Sequence, residues 1–163
     1  MHEMRQQLST NISRSIIESG SFSEDMKVMD FGAGTGLIAG NIASLVNKIL
    51  AIDISEAMLE QLSQKEELKG KVETLCQDNV VDGIEARFDR IVSAMALHHV
   101  EDTDKACQSF YTHLNKGGKL LLADLDAEDG TFHIQGLEGV FHDGFERGFL
   151  QGKLEKVGFS NVQ

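Results

Sequence analysis

The chain of 163 residues has no proline, only two cysteines and far fewer basic than acidic side chains. Without proline, every helix end must be set by a capping side chain or a glycine. Cys76 and Cys107 are too far apart for a metal-binding spacing, so we expect reduced thiols and a cytoplasmic protein. The net charge of −11 argues against nucleic acid as a non-specific partner, because phosphate binding requires a basic face.

Long apolar runs are missing as well. Residues 1–10 are polar and charged, so we expect no signal peptide, and no stretch approaches the roughly 20 apolar residues of a membrane span. We therefore expect no contact with membranes. The apolar fraction of 41% and the charged fraction of 25% are ordinary for a globular protein, and the length fits a single domain over 1–163.

The sequence is organised around residues 28–36, VMDFGAGTG. They combine a short apolar strand, an acid and a loop with a glycine at every second position. Glycine allows a sharp turn and lets a ligand lie against bare backbone. Because 37–46 has the apolar spacing of a helix, this segment would gather backbone N–H groups and the positive end of a helix dipole at one point. The pattern therefore predicts a ligand site.

Predicted strands alternate with predicted helices along the chain. Such alternation indicates an α/β domain with a parallel sheet, right-handed crossovers and helices on both faces. In these sheets a ligand binds beyond the carboxyl ends of the strands, where the strand order reverses. The predicted strands are 27–31, 48–52, 72–76, 88–94 and 119–123. The predicted helices are 3–19, 37–46, one after the N-cap Ser55, 102–114 and 146–157, with a tight turn at 115–118 and a sixth strand beginning near 159.

Two ligand classes fit the glycine loop. Residues 34–39 match the dinucleotide fingerprint G-x-G-x-x-A, and Asp53 follows at the spacing of a ribose-binding acid, which is compatible with an NAD-dependent oxidoreductase. However, Asp30 directly precedes the loop, and a carboxylate is poorly placed beside a pyrophosphate. The same carboxylate suits a ligand with a cationic end, so the charge pattern favours a ligand without phosphate.

Several segments together resemble the class I S-adenosylmethionine-dependent methyltransferases. Residues 30–36, DFGAGTG, resemble the loop D/E-x-G-x-G-x-G of that family. Residues 88–92 and 97–99 resemble its strand-four pattern F-D-x-I-V-x-x-x-x-L-H-H, and 114–118 resemble its turn L-K-P-G-G without the proline. The resemblance covers most of the chain. It implies a Rossmann-like, doubly wound, mostly parallel sheet and S-adenosylmethionine as the cofactor.

The resemblance also assigns residues. It implies that Asp53 binds the ribose hydroxyls and that Asp78 with Asn79 lies near the adenine amino group. The family's sheet ends with a sixth and a seventh strand, whereas this sequence stops where strand six begins, so we expect a chain truncated at its C-terminus rather than one completed by a partner. The expected cofactor-binding residues are Asp30, Gly32, Ala33, Gly34, Gly36, Asp53, Ile54, Asp78, Asn79, Ser93 and Ala94.

The implied activity is methyl transfer by in-line displacement to a small-molecule acceptor. His98 and His99 are the candidate general bases; the competing interpretation is that one packs at the sheet edge or caps the next helix while the other lines the pocket. A non-catalytic module that binds S-adenosylmethionine is a further alternative.

We expect no metal, because nothing in the spacing of His98, His99, Asp124, His133 and His142 requires one. Four aromatic residues either line the acceptor pocket or belong to the core: Phe132, Phe141, Phe145 and Phe149.

Overall fold

A computed structural model describes residues 2–77, 84–94, 96, 100, 102–123 and 147–160, and every structural statement below concerns these residues. Their strands and helices alternate as the sequence predicts. The strands are β1 (Lys27–Phe31), β2 (Lys48–Asp53), β3 (Val72–Cys76), β4 (Phe88–Ala94) and β5 (Leu114–Ala123). The helices are α1 (His2–Gly20), α2 (Leu37–Ile42), α3 (Glu56–Ser63), α4 (Thr103–Thr112) and α5 (Arg147–Val157).

The five strands form one parallel sheet in the order β3-β2-β1-β4-β5. β1 lies in the middle, and the chain order reverses between β1 and β4. In the register of the sheet, Asp30 of β1 lies between Ala51 of β2 and Val92 of β4. This arrangement confirms the predicted Rossmann-like, doubly wound sheet, and it places the switch point beyond the carboxyl ends of β1 and β4.

Helices cover both faces of the sheet. On one face α1, α2 and α3 pack against alternate residues of the central strands, and on the other face α4 does so. The rings of Phe31 and Phe110 meet edge to face on the α4 side, with centroids 5.0 Å apart. Residues 28–31 of β1 are all buried, which confirms a strand enclosed on both faces.

Capping side chains and a glycine mark the helix ends described here, as the lack of proline predicts. Ser55 caps α3 by accepting a hydrogen bond from Met58 N at 3.3 Å. Asp102 caps α4 by accepting one from Lys105 N at 3.0 Å. Gly158, with φ of +124°, follows α5 directly. These three positions could be identified from the sequence because each cap is local.

Two predicted boundaries were wrong, and long-range contacts explain both. The helix predicted over 37–46 ends at Ile42 and continues as a 3-10 turn, Ala43–Leu45. There Lys71 donates to the carbonyls of Ala43 and Val46, at 2.9 and 2.8 Å. These bonds satisfy carbonyl groups that a longer helix would have used.

The segment 115–118 is not a turn before β5 but an irregular part of that strand. Phe88 of β4 lies opposite Leu114, and Arg90 lies opposite Lys119, so only Asp89 faces the four inserted residues. Asp89 Oδ1 accepts a hydrogen bond from Asn115 Nδ2 at 3.1 Å, which holds the insertion against β4. The predicted helix 102–114 correspondingly ends at Thr112.

Candidate functional site

The glycine loop curls over the end of β2. The backbone N–H groups of Gly32 and Ala33 both donate to the carbonyl of Ile52, at 2.8 and 2.9 Å. Gly36 N then donates to Ala33 O at 3.0 Å, and α2 begins at the next residue. The three glycines have positive φ angles of +74°, +57° and +88°. The loop therefore has a conformation that side-chain-bearing residues rarely adopt.

The three glycines differ in what surrounds them. A Cβ on Gly32 would lie 2.2 Å from the Cβ of Ala96, and one on Gly36 would lie 2.8 Å from Cγ of Leu62. For Gly34 the nearest atom is Met58 Sδ, at 3.9 Å. The outer glycines are thus required by packing within the protein, whereas a Cβ on Gly34 would make only an ordinary van der Waals contact. A ligand can lie against the backbone at Gly34.

Asp53 connects the loop to the start of α3. Its Oδ2 accepts a hydrogen bond from Gly34 N at 2.8 Å, and its Oδ1 accepts one from Ser55 N at 2.9 Å. The side chain is only half-buried, and each carboxylate oxygen can accept a second hydrogen bond. Asp53 therefore holds the turn into α3, and it also presents free acceptor capacity beside the loop.

Asp30 lies two residues before the loop and is almost completely enclosed. Its residue surface is 2% exposed, and its Oδ2 has no hydrogen-bond partner among the described residues. Burial and, to a smaller extent, the negative charge of Asp53 raise the pKa of this carboxyl to about 7. A buried carboxyl without a partner favours its neutral form near neutral pH. A cation placed beside Asp30 would therefore favour ionisation of its carboxyl.

Ser93 is the second buried polar side chain without a partner in the described part of the chain. It is fully buried in β4, and because side chains alternate along a strand, it points to the sheet face opposite Asp30. The next residue, Ala94, is half-buried. The unpaired hydroxyl leaves a donor and acceptor available at the end of β4.

Apolar side chains form the outer rim of the loop, and the sequence reasoning named only one of them. Ile54, one of the expected binding residues, is 61% exposed; Leu37 at 54% and Met58 at 45% were not predicted as site residues. Their signal was their placement: Leu37 follows the last loop glycine, and Met58 lies in the first turn of the helix after Asp53. Exposed apolar residues beside polar groups are typical of a small-molecule site.

The structure thus brings together seven of the expected residues near the carboxyl ends of the three central strands: Asp30, Gly32, Ala33, Gly34, Asp53, Ile54 and Ser93. Gly36 and Ala94 flank this group. Other expected residues lie outside the described residues: Asp78, Asn79, His98, His99, Asp124, Phe132, His133, Phe141, His142 and Phe145. Phe149 belongs to α5, but its side chain is not among those described.

The described ranges contain no group of three or more His, Cys, Asp or Glu side chains able to hold a metal ion. No helix within them is long and apolar enough to cross a membrane.

Comparison with known proteins identifies the domain. A family model described as a methyltransferase domain matches residues 29–122, which is more than half of the chain. The chain belongs to this family. The match begins in β1 and ends in β5. The matched segment of this methyltransferase domain therefore contains the glycine loop, Asp53 and Ser93.

Relatives and solved structures agree with this assignment. An uncharacterised methyltransferase of Schizosaccharomyces pombe is 26% identical over 155 residues, which cover 85% of this chain and 55% of the relative. A candidate methyltransferase of Bacillus halodurans superposes with a TM-score of 0.78 at 21% identity, covering 93% of this chain and 70% of that one. The [4+2]-cyclase SpnF superposes with a TM-score of 0.78 at 19% identity, covering 94% and 58%. These structures show a common fold, and the chain spans little more than half of the fission yeast relative.

Proposed function

We propose that this methyltransferase domain binds S-adenosylmethionine and transfers its methyl group to a small-molecule acceptor. The observation that carries the proposal is the uncrowded backbone at Gly34, whose N–H is held by Asp53 Oδ2 in the loop that follows β1 at the switch point of the sheet. The net charge of −11 favours a small acceptor over nucleic acid.

The residues at the site fit this cofactor. The free acceptor capacity of Asp53 suits the two ribose hydroxyls, and the buried carboxyl of Asp30 suits the cationic amino-acid end. Ile54 and Met58 offer apolar surface for the adenine ring. A dinucleotide fits less well, because Asp30 and Asp53 place two carboxyls beside the loop where its pyrophosphate would lie.

The protein's part in the reaction is alignment. Bound S-adenosylmethionine supplies a methyl group that its sulfonium charge has already activated. Holding the acceptor in line with that group and excluding water is worth roughly 7–11 kcal/mol of the barrier. In our proposal His98 or His99, which follow β4 in sequence, serves as general base for acceptors that are protonated at working pH.

Calorimetry tests the cofactor assignment. We expect wild-type protein to bind S-adenosylhomocysteine and to give no response to NAD. Asp53→Asn should weaken S-adenosylhomocysteine binding about tenfold, since the amide replaces a charged acceptor of the ribose hydroxyls. The exposed Glu60→Gln on α3 is the matched acid-to-amide control and should bind like wild type. NAD binding without any response to S-adenosylhomocysteine would refute the proposal.

A second candidate is a protein of this fold that binds the cofactor without transferring its methyl group. The cyclase SpnF, which has a similar structure, supports this second candidate, because one fold can serve different reactions. A panel of small acceptors with methyl-labelled S-adenosylmethionine separates the two: labelled product supports the transferase, and tight cofactor binding without product from any acceptor supports the alternative.

We also propose a cytoplasmic location, supported by the two free cysteines.

A further inference from the structure

We infer that Asn41 is a positioning residue: its amide ties α1 to the helix that begins at the glycine loop, and this tie keeps the first half of α1 beside the cofactor site. Without the tie, a bound ligand should leave faster although the fold stays intact. The inference deepens the proposed function and rests on it, because it concerns how long the ligand stays in that site.

The two hydrogen bonds of Asn41 explain why this residue stands in α2. Asparagine is a poor helix former compared with alanine or leucine. Its Nδ2 donates to the carbonyl of Leu37 at 2.9 Å and to Ser13 Oγ of α1 at 3.0 Å. Leu37 is the first residue of α2 and directly follows the loop glycine Gly36. The amide therefore connects α1 to the helical turn that leaves the glycine loop.

The partner of Asn41 is a polar residue in an apolar contact. Ser13 is only 3% exposed, and a buried hydroxyl is disfavoured without a hydrogen bond. On the same helix, Ile16 belongs to one apolar cluster with Ile38 and Ile42 of α2. Apolar contacts have no direction, whereas a hydrogen bond requires one geometry. The bond from Asn41 to Ser13 therefore selects one placement of α1 on α2.

α1 runs against the direction of the strands. Its last residue, Gly20, has a carbonyl that accepts a hydrogen bond from the side chain of Arg90, early in β4. Arg90 lies opposite Lys119, four residues before β5 ends at Ala123. Eight helical residues rise about 12 Å and four strand residues about 13 Å, so Ile12 lies near the level of Ala123. In agreement, both of these residues line the groove between α1 and β5.

The first half of α1 therefore projects beyond the sheet. Residues 2–11 continue the helix for roughly 15 Å past the carboxyl ends of β4 and β5. This is the edge of the sheet at which the glycine loop and Ser93 lie. The bond between Ser13 and Asn41 is at the base of the projecting half, so it limits how far that half can tilt away from the loop. Tilting of such an element opens a site for ligand exchange.

The size of the effect follows from the bond. One hydrogen bond between neutral groups changes an equilibrium by a factor of about 2 to 12. When the ligand leaves through the tilted form, its dissociation rate is proportional to the population of that form. We therefore expect Asn41→Ala to release the ligand about fivefold faster. The urea midpoint should stay close to that of wild type, because alanine is the best helix former and offsets much of the lost bond.

Surface plasmon resonance with the immobilised full chain measures dissociation of S-adenosylhomocysteine. Asn41→Ala and Ser13→Ala should each accelerate it about fivefold. The double variant should be no faster than either single variant, because both changes remove the same bond. Asn47→Ala makes the same exchange at an exposed position before β2 and should behave like wild type. In the ligand-free protein, amide hydrogen exchange of Asn41→Ala should be faster in residues 2–12 and unchanged in β1.

These measurements separate the inference from a merely structural role. An unchanged dissociation rate in Asn41→Ala would overturn the inference, and so would a double variant whose acceleration is the product of the two single ones. Faster dissociation together with equally faster exchange in β1 would also overturn it, since a general loss of stability would then explain the rate. Wild-type protein that binds no S-adenosylhomocysteine would overturn the proposed function and the inference with it.

Discussion

The raised pKa of Asp30 makes a quantitative prediction about folding stability. The carboxyl titrates near pH 3.8 when unfolded and near 7 when folded, so the folded protein binds the extra proton between those values. The stabilising contribution is complete below about pH 4 and is lost as pH rises through about 7. A shift of about three units at about 1.4 kcal/mol each amounts to about 4 kcal/mol. Asp30→Asn keeps the shape of the neutral carboxyl but cannot ionise.

Urea unfolding of the ligand-free protein between pH 4.5 and pH 8 measures this contribution. Relative to wild type, the free energy of unfolding of Asp30→Asn should increase with pH, and the gain should reach up to about 4 kcal/mol at pH 8. Measuring the difference between the two proteins cancels titrating groups that they share. Glu60→Gln, an acid-to-amide change at an exposed position, should follow the wild-type curve within about 0.5 kcal/mol.

One result would refute this reasoning directly. If the difference between Asp30→Asn and wild type stays constant from pH 4.5 to pH 8, Asp30 titrates at its ordinary pKa in the folded state. The carboxyl would then be paired or solvated, rather than buried without a partner.

The glycine loop and the cysteines provide two more tests. Gly36→Ala should destabilise the fold by about 2–5 kcal/mol in urea unfolding, because overpacking of its Cβ against Leu62 adds to the strain of a positive φ. Gly34→Ala should cost about 1–2 kcal/mol from strain alone yet weaken S-adenosylhomocysteine binding. Equal stability losses would contradict this contrast. A thiol reagent should label exposed Cys76 and spare buried Cys107, whose pKa burial raises to about 11. S-adenosylhomocysteine should slow labelling, because Cys76 lies opposite Asp53 in the sheet; equal rates with and without it would contradict that placement.

Local sequence signals predicted most of the fold. The strand at 27–31 and the cap at Ser55 were placed correctly, since apolar runs and capping residues act within a few positions. The errors arose where distant residues decide the outcome. Lys71 binds the carbonyls at the end of the helix that follows the loop. Asp89 binds Asn115 and so holds the segment that we expected to be a turn against β4. No local sequence pattern encodes either contact.

The sequence predicted which residues belong to the candidate site but not all of their contacts. The glycines and the acids at the ends of β1 and β2 follow from their spacing. The bond from Gly34 N to Asp53 and the unpaired oxygen of Asp30 do not, because both depend on how neighbouring strands align. Burial and pairing change a carboxyl's chemistry, and neither can be read from the residue alone.

The close approach of Gly32 to Ala96 has a consequence for how such a domain can diversify. The glycine loop and the segment after β4 meet where a Cβ on Gly32 would lie 2.2 Å from the Cβ of Ala96. Ala96 precedes His98 by two positions in the sequence, so in our proposal two small residues separate the cofactor side of the site from the acceptor side. We expect acceptor preference to change through residues 97–99 while the glycine loop stays constant, provided that positions 32 and 96 both remain small.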